Sequence, residues 1–169
     1  MRSEKEDGPP AEAGSTRVDV LLVCSSGGHL LQLVALAPAW QEFRRAWVTH
    51  ERSDSRSLLK GELVYYAYMP TTRNLKNFVR NIWLAARILR HTQPRVVLTT
   101  GAALAVPFAW LARMRGIDVV YVESFTRIDA PSLSCKLVRR AASRVYVQWP
   151  ELLPEVPGAR YVGSVFSSS

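Results

Sequence analysis

Two serines, two glycines and a histidine, Ser25-Ser26-Gly27-Gly28-His29, follow directly on the apolar run Val20–Cys24. Glycine lets backbone N–H groups approach a ligand closely, and a helix beginning near Leu30 adds unpaired amides and a partial positive charge. Such a loop suits a phosphate or pyrophosphate; the same residues also serve as a tight strand-to-helix turn with a serine N-cap. His29 adds chemistry, because an imidazole at a helix mouth can take a proton or donate to a phosphate near neutral pH. A second glycine loop, Thr99-Thr100-Gly101-Ala102-Ala103, and a third segment, Glu123-Ser124-Phe125-Thr126-Arg127, follow later apolar runs. Glu123 at a strand tip, with Arg127 four residues on, is either a general base beside an anion clamp or half of a buried structural pair. Glu51 stands where a dinucleotide fold keeps its ribose-binding acid, but the G-x-G-x-x-G spacing is missing, which argues against nicotinamide cofactors.

Those loops need elements to position them. Strand candidates are Val18–Cys24, Arg45–Thr49, Glu62–Ala67, Val96–Thr99, Val119–Glu123 and Arg144–Val147, with Arg160–Phe166 as a last short one. Helical patterns run over Leu30–Ala37, Ser53–Lys60, Leu75–His91, Ala103–Arg115 and Ser132–Ala142. Nearly all-apolar strands separated by such helices predict an α/β fold, a doubly wound, Rossmann-like parallel sheet. Ligands then bind beyond the carboxyl ends of the strands at the switch point beside the first strand, where the Ser25–His29 loop sits. The second loop would lie next to it if the fourth strand neighbours the first.

Residues 1–16 are polar, rich in Pro and Gly and without periodicity, and read as a flexible tail; residues 17–166 form one domain, and 167–169 a flexible end. The net charge is +8 while residues 1–16 carry −2, so the rest of the chain holds +10. That excess asks for an anionic partner: a polyphosphate substrate, a membrane surface or nucleic acid. Charge alone, without a helix-turn-helix or aromatic pattern, does not support nucleic-acid binding. Cys24 and Cys135 have no CxxC spacing, which argues against zinc and a disulfide-built fold and favours a reducing cytoplasm. No cluster of metal-ligating residues is visible, and no apolar stretch reaches the ~18 residues of a membrane span.

The helix at Asn74–Arg90 sets an apolar stripe of Leu75, Phe78, Val79, Ile82, Ala86 and Leu89 beside Arg73, Lys76, Arg80, Trp83 and Arg87. A basic amphipathic helix with an aromatic flank can lie on an anionic bilayer; a core-packing helix with a solvated basic face has the same pattern. Near the end, Gln148-Trp149-Pro150-Glu151-Leu152 opens a proline-rich crossing segment.

Taken together, Ser25–His29, Val119-Val120-Tyr121-Val122-Glu123-Ser124-Phe125-Thr126-Arg127, Ser132-Leu133-Ser134 and Val147-Gln148-Trp149-Pro150-Glu151-Leu152 resemble the asparagine-linked glycosylation fourteen-like family, over about Val18 to Phe166. The family includes PssD-type polysaccharide biosynthesis proteins and the anchor subunit of the dolichol-pathway N-acetylglucosaminyltransferase. Cys135 stands where its pattern usually has glycine. The resemblance implies the N-terminal, acceptor-side half of a split GT-B glycosyltransferase, with a separate small chain supplying most of the nucleotide-sugar site. It implies transfer of a sugar from a UDP-sugar to a polyprenyl-diphosphate-linked acceptor, by inverting displacement, without metal or cofactor. The chain would sit peripherally on the cytoplasmic face of the membrane. His29 is then the first candidate for the base and Glu123 the second. Ser25, Ser26, Gly27, Gly28, Thr100, Gly101, Ser124 and Arg127 are the substrate- and phosphate-binding candidates. Arg73, Lys76, Arg80, Trp83 and Arg87 would face the membrane, and Gln148, Trp149 and Glu151 the partner. The alternative is a non-catalytic membrane adaptor recruiting a donor-binding subunit.

Overall fold

Side chains alternate along a strand, so the apolar residues of each run divide between two faces of a sheet. In a computed structural model, which describes residues 16–71 and 74–166, seven parallel strands form that sheet. They are β1 (Val20–Val23), β2 (Arg45–His50), β3 (Val64–Ala67), β4 (Val96–Thr99), β5 (Asp118–Val122), β6 (Arg144–Val147) and β7 (Arg160–Tyr161), ordered β3-β2-β1-β4-β5-β6-β7. The helices are α1 (Gly28–Ala35), α2 (Ala37–Trp40), α3 (Ser53–Leu58), α4 (Leu75–Thr92), α5 (Ala105–Met114) and α6 (Leu133–Val138).

Leu21, Val23, Val97, Val119 and Tyr121 pack on one side with Ile88 and Leu89 of α4, Phe108 of α5 and Val138 of α6. Leu22, Trp47, Leu98 and Val122 lie on the other with Leu30 and Leu33 of α1 and Trp40 of α2. This is the doubly wound, Rossmann-like sheet. The strand order reverses between β1 and β4, whose register pairs Val23 with Thr99 and brings the two loops level at one edge.

Three expectations change. Helix α2 was not legible as a separate element; its Pro38 fits a first helical turn, where no amide bond is lost. The last strand is only Arg160–Tyr161, not Arg160–Phe166. On α4 the buried residues are Asn77, Asn81, Ala85, Ile88, Leu89 and Thr92, so most of the apolar stripe does not enter the core. The asparagines are buried because they satisfy the chain after β3. Asn81 bonds the Tyr68 N–H and C=O, both at 3.0 Å, and Asn77 Nδ2 donates to the Pro70 carbonyl at 3.1 Å. The tail over residues 1–15, the 167–169 end and Arg73 lie outside the described residues.

Candidate active site

His29 occupies the second position of α1, half-buried at the switch point. Its Nδ1 lies 2.8 Å from the Thr100 carbonyl, which can only accept. Nδ1 therefore carries the proton, and in the neutral ring Nε2 keeps a lone pair. Thr100 answers with a second bond, its hydroxyl donating to the His29 carbonyl at 2.8 Å. The two loops are locked to each other at the β1–β4 boundary. Burial holds the imidazole below its ordinary value of 6.5, with the Arg127 charge acting the same way against opposing contributions from the Thr100 bond and Glu123. The ring is thus neutral at pH 7. The first amides of α1, at Gly28 and His29, have no intrahelical partner. They and the exposed Arg127 are the groups positioned to meet an anion.

Gly101 closes this corner. Its φ is +103°, and a Cβ there would stand 2.8 Å from the Tyr121 hydroxyl, so both the backbone and the space require glycine. The Tyr121 hydroxyl in turn donates to Glu123 Oε1 at 3.2 Å. Glu123 is fully buried. It also accepts the Ser124 N–H at 2.7 Å, the Ser132 N–H at 2.8 Å and the Ser132 hydroxyl at 3.0 Å. The carboxyl group joins the end of β5 to the start of α6. It forms no ion pair with Arg127, which rules out the buried Glu–Arg pair. Nor does its geometry suit a base, since four bonds already hold the carboxyl group and no solvent reaches it.

Gln32, a lone polar residue on the buried side of α1, extends the network. Its Oε1 accepts the Phe125 N–H at 2.8 Å and Gln148 Nε2 at 2.8 Å. Gln148 also donates to the Glu123 carbonyl at 2.9 Å. Gln32, Tyr121 and Ser132 are not among the candidate site residues of the sequence, where the last two stand only within the family's motifs. Only the oddity of a glutamine between Leu31 and Leu33 could have pointed to the first.

Several candidates are buried supports rather than ligand contacts. Thr100 is fully buried with its hydroxyl spent on His29, and Ser124 shares a 3.0 Å bond with Thr126. The Gly101 amide donates to the Thr99 hydroxyl at 3.0 Å. Gln148, expected at the partner interface, is buried because its amide ties three segments together. Ser25, Ser26, Gly27 and Gly28 stay at the edge as expected. Glu51 pairs with Arg56 at 2.8 Å, a surface ion pair. The thiols of Cys24 and Cys135 are both pushed up to about 12 by burial, so neither serves as a nucleophile near neutral pH.

Residues 68–165, more than half of the chain, match the family described as "Oligosaccharide biosynthesis protein Alg14 like". The chain belongs to the Alg14-like family. The UDP-N-acetylglucosamine transferase subunit ALG14 of Rattus norvegicus is 26% identical, over 86% of this chain and 82% of that protein. A Clostridium kluyveri UDP-N-acetylglucosamine–N-acetylmuramyl-(pentapeptide) pyrophosphoryl-undecaprenol N-acetylglucosamine transferase is 26% identical, over 79% of this chain and 40% of its own length. Among solved structures, Acinetobacter baumannii MurG superposes with a TM-score of 0.71 at 19% identity, covering 89% of this chain and 47% of MurG. The chain thus spans about half the length of that structure. The Alg14-like match contains Thr100, Gly101, Glu123, Arg127 and Gln148; the His29 loop lies before it.

Three further surfaces of this Alg14-like chain follow from the fold. Leu75 and Trp83 on α4 are 76% and 75% exposed, with Lys76, Arg80 and Arg87 also outward. Arg80 stacks on Tyr68, 4.4 Å from the ring centre. Trp110 and Met114 of α5 and Leu133 and Leu137 of α6 are exposed on the same helix layer. Among the described residues no helix is long and apolar enough to cross a membrane. At the carboxyl end, Trp149 is half-buried, donating to the Phe125 carbonyl at 2.6 Å with its ring tilted by 45° against the Phe125 ring at 5.1 Å; Glu151 is exposed. On the sheet face of α1 and α2, an apolar cavity of about 750 Å³ lies over Leu98, Val120, Val122 and Tyr146, rimmed by Phe43 and Val162.

Proposed function

We propose that this chain is the acceptor-side subunit of a glycosyltransferase that moves a sugar, N-acetylglucosamine by analogy with its relatives, from a UDP-sugar to a polyprenyl-diphosphate-linked acceptor. The observation that carries the reading is the reciprocal His29–Thr100 pair, which leaves a neutral Nε2 beside the free amides of α1. His29 takes the proton of the acceptor hydroxyl as that oxygen attacks the anomeric carbon. The bond from that carbon to the UDP oxygen breaks on the opposite face, so configuration inverts, and UDP leaves with the electron pair. The imidazolium formed is stabilised by the Thr100 carbonyl and by the nearby Glu123 carboxyl group, whose influence raises the ring's proton affinity. The α1 amides and Arg127 hold the acceptor diphosphate.

Membership of the Alg14-like family and the half-length overlap with MurG support a divided enzyme. A second, donor-binding chain would complete the cleft and cover the open sheet face, because a parallel sheet is buried on both sides. The exposed layer of α4, α5 and α6, apolar and basic, would rest on the cytoplasmic side of the membrane. The test is a transfer assay with UDP-N-acetylglucosamine and a prenyl-diphosphate-linked acceptor, run with and without the small partner subunit. Transfer is expected only with both chains; full activity from this chain alone would refute the division.

A further inference from the structure

The carboxyl edge continues from the glycine loop toward β2 and β3 into a separate polar cavity of about 900 Å³. Ser26, His50, Arg52, Asp54, Met69 and Thr71 line it. Asp54 Oδ2 accepts the Gly27 N–H at 2.6 Å. That is an amide the loop would otherwise offer to an anion, so a carboxylate there repels phosphate from this side. One such bond leaves a carboxylate with acceptor capacity to spare. His50, at the end of β2, is 5% exposed, and its Nε2 has no hydrogen-bond partner. Burial, and then the Arg52 charge, hold its imidazole below the ordinary value, so the ring is neutral with one donor and one acceptor. Met69 adds an apolar strip.

A carboxylate, a neutral imidazole, hydroxyls, a guanidinium and an apolar strip match a polyhydroxylated ring. Its hydroxyls both donate and accept, and its C–H face takes apolar contact. A phosphate only accepts and would meet the Asp54 charge. We propose that this cavity binds a sugar ring of the acceptor, with Asp54, His50 and Arg52 as its specificity-determining hydrogen-bond partners. The glycine loop then divides the edge, with diphosphate on the His29 and Arg127 side and saccharide on the Asp54 side. This assignment rests on the transferase reading above.

Equilibrium binding to the full chain tests it, using a short-chain prenyl diphosphate either bare or carrying one N-acetylhexosamine. The sugar should tighten binding by about tenfold, the worth of a hydrogen bond or two to charged groups. Asp54→Ala and Arg52→Ala should both abolish that advantage. Arg52 is exposed, so its variant tests the cavity without disturbing the loop. The bare diphosphate should bind Asp54→Ala as well as wild type or better, since a negative charge has gone. An advantage that persists in both variants, or that wild type lacks, overturns the saccharide site while the transferase reading stands. Failure of wild type to bind either probe overturns both.

Discussion

A carbonyl that can only accept decides the tautomer of His29, and burial decides its charge. These two effects leave one nitrogen of one residue able to act as the base in the proposed transfer. Replacing His29 with Ala should lower the turnover of the complete enzyme by about a hundredfold, the common loss on removing a general base, with the fold intact. A circular-dichroism melt alongside the assay separates chemistry from stability. Unchanged turnover would end the role. The acid limb of the activity profile should fall below the ordinary histidine value of 6.5, because the folded ring binds its proton less readily. His50 is shifted in the same direction. For stability the sign is the same: both groups contribute above 6.5, and that contribution is lost as pH falls through the depressed folded values. Thermal melts should therefore be level from pH 7 upward and decline below 6.5.

At the scale of elements, α4 contradicts a simple amphipathic assignment. Its inner side carries asparagines that satisfy the backbone after β3, and this turns Leu75, Val79 and Trp83 outward among Lys76, Arg80 and Arg87. In the proposed membrane role, charge and an aromatic anchor would hold such a helix to anionic lipid, at about 1 kcal/mol per basic residue near the surface. A variant with Arg80→Glu, Trp83→Ser and Arg87→Glu should sediment with phosphatidylglycerol vesicles at least about tenfold less well than wild type. Wild-type binding should weaken as salt screens the attraction. Equal sedimentation with phosphatidylcholine and phosphatidylglycerol would remove the electrostatic component, and none with either would remove the lipid role.

The molecule as a whole is a doubly wound sheet with uneven cover. Helices α4, α5 and α6 cover one face, while α1 and α2 leave part of the other open above Leu98, Val120, Val122 and Tyr146. The rim residues Phe43 and Val162 are 50% and 78% exposed, so charge there should not disturb the core. A Phe43→Glu, Val162→Glu variant should keep its melting temperature yet bind the donor-side subunit at least about tenfold more weakly, since apolar anchors dominate interfaces. Undiminished binding in calorimetry would place the partner elsewhere.

The alternation of apolar strands with helical stretches determined the sheet and its chain order of elements, because periodicity is written residue by residue. The glycine loops and His29 were legible for the same local reason. Tertiary structure decided what those residues could do. Glu123 reads as a candidate base until Tyr121, Ser124 and Ser132 surround it, and Gln148 reads as surface until it meets Gln32. Asp54 gains meaning only when the chain folds it onto Gly27. Each depends on a partner distant in sequence or on burial. Spacing along a chain encodes which way a side chain points within its own element, but not which donors and acceptors the other elements bring to it.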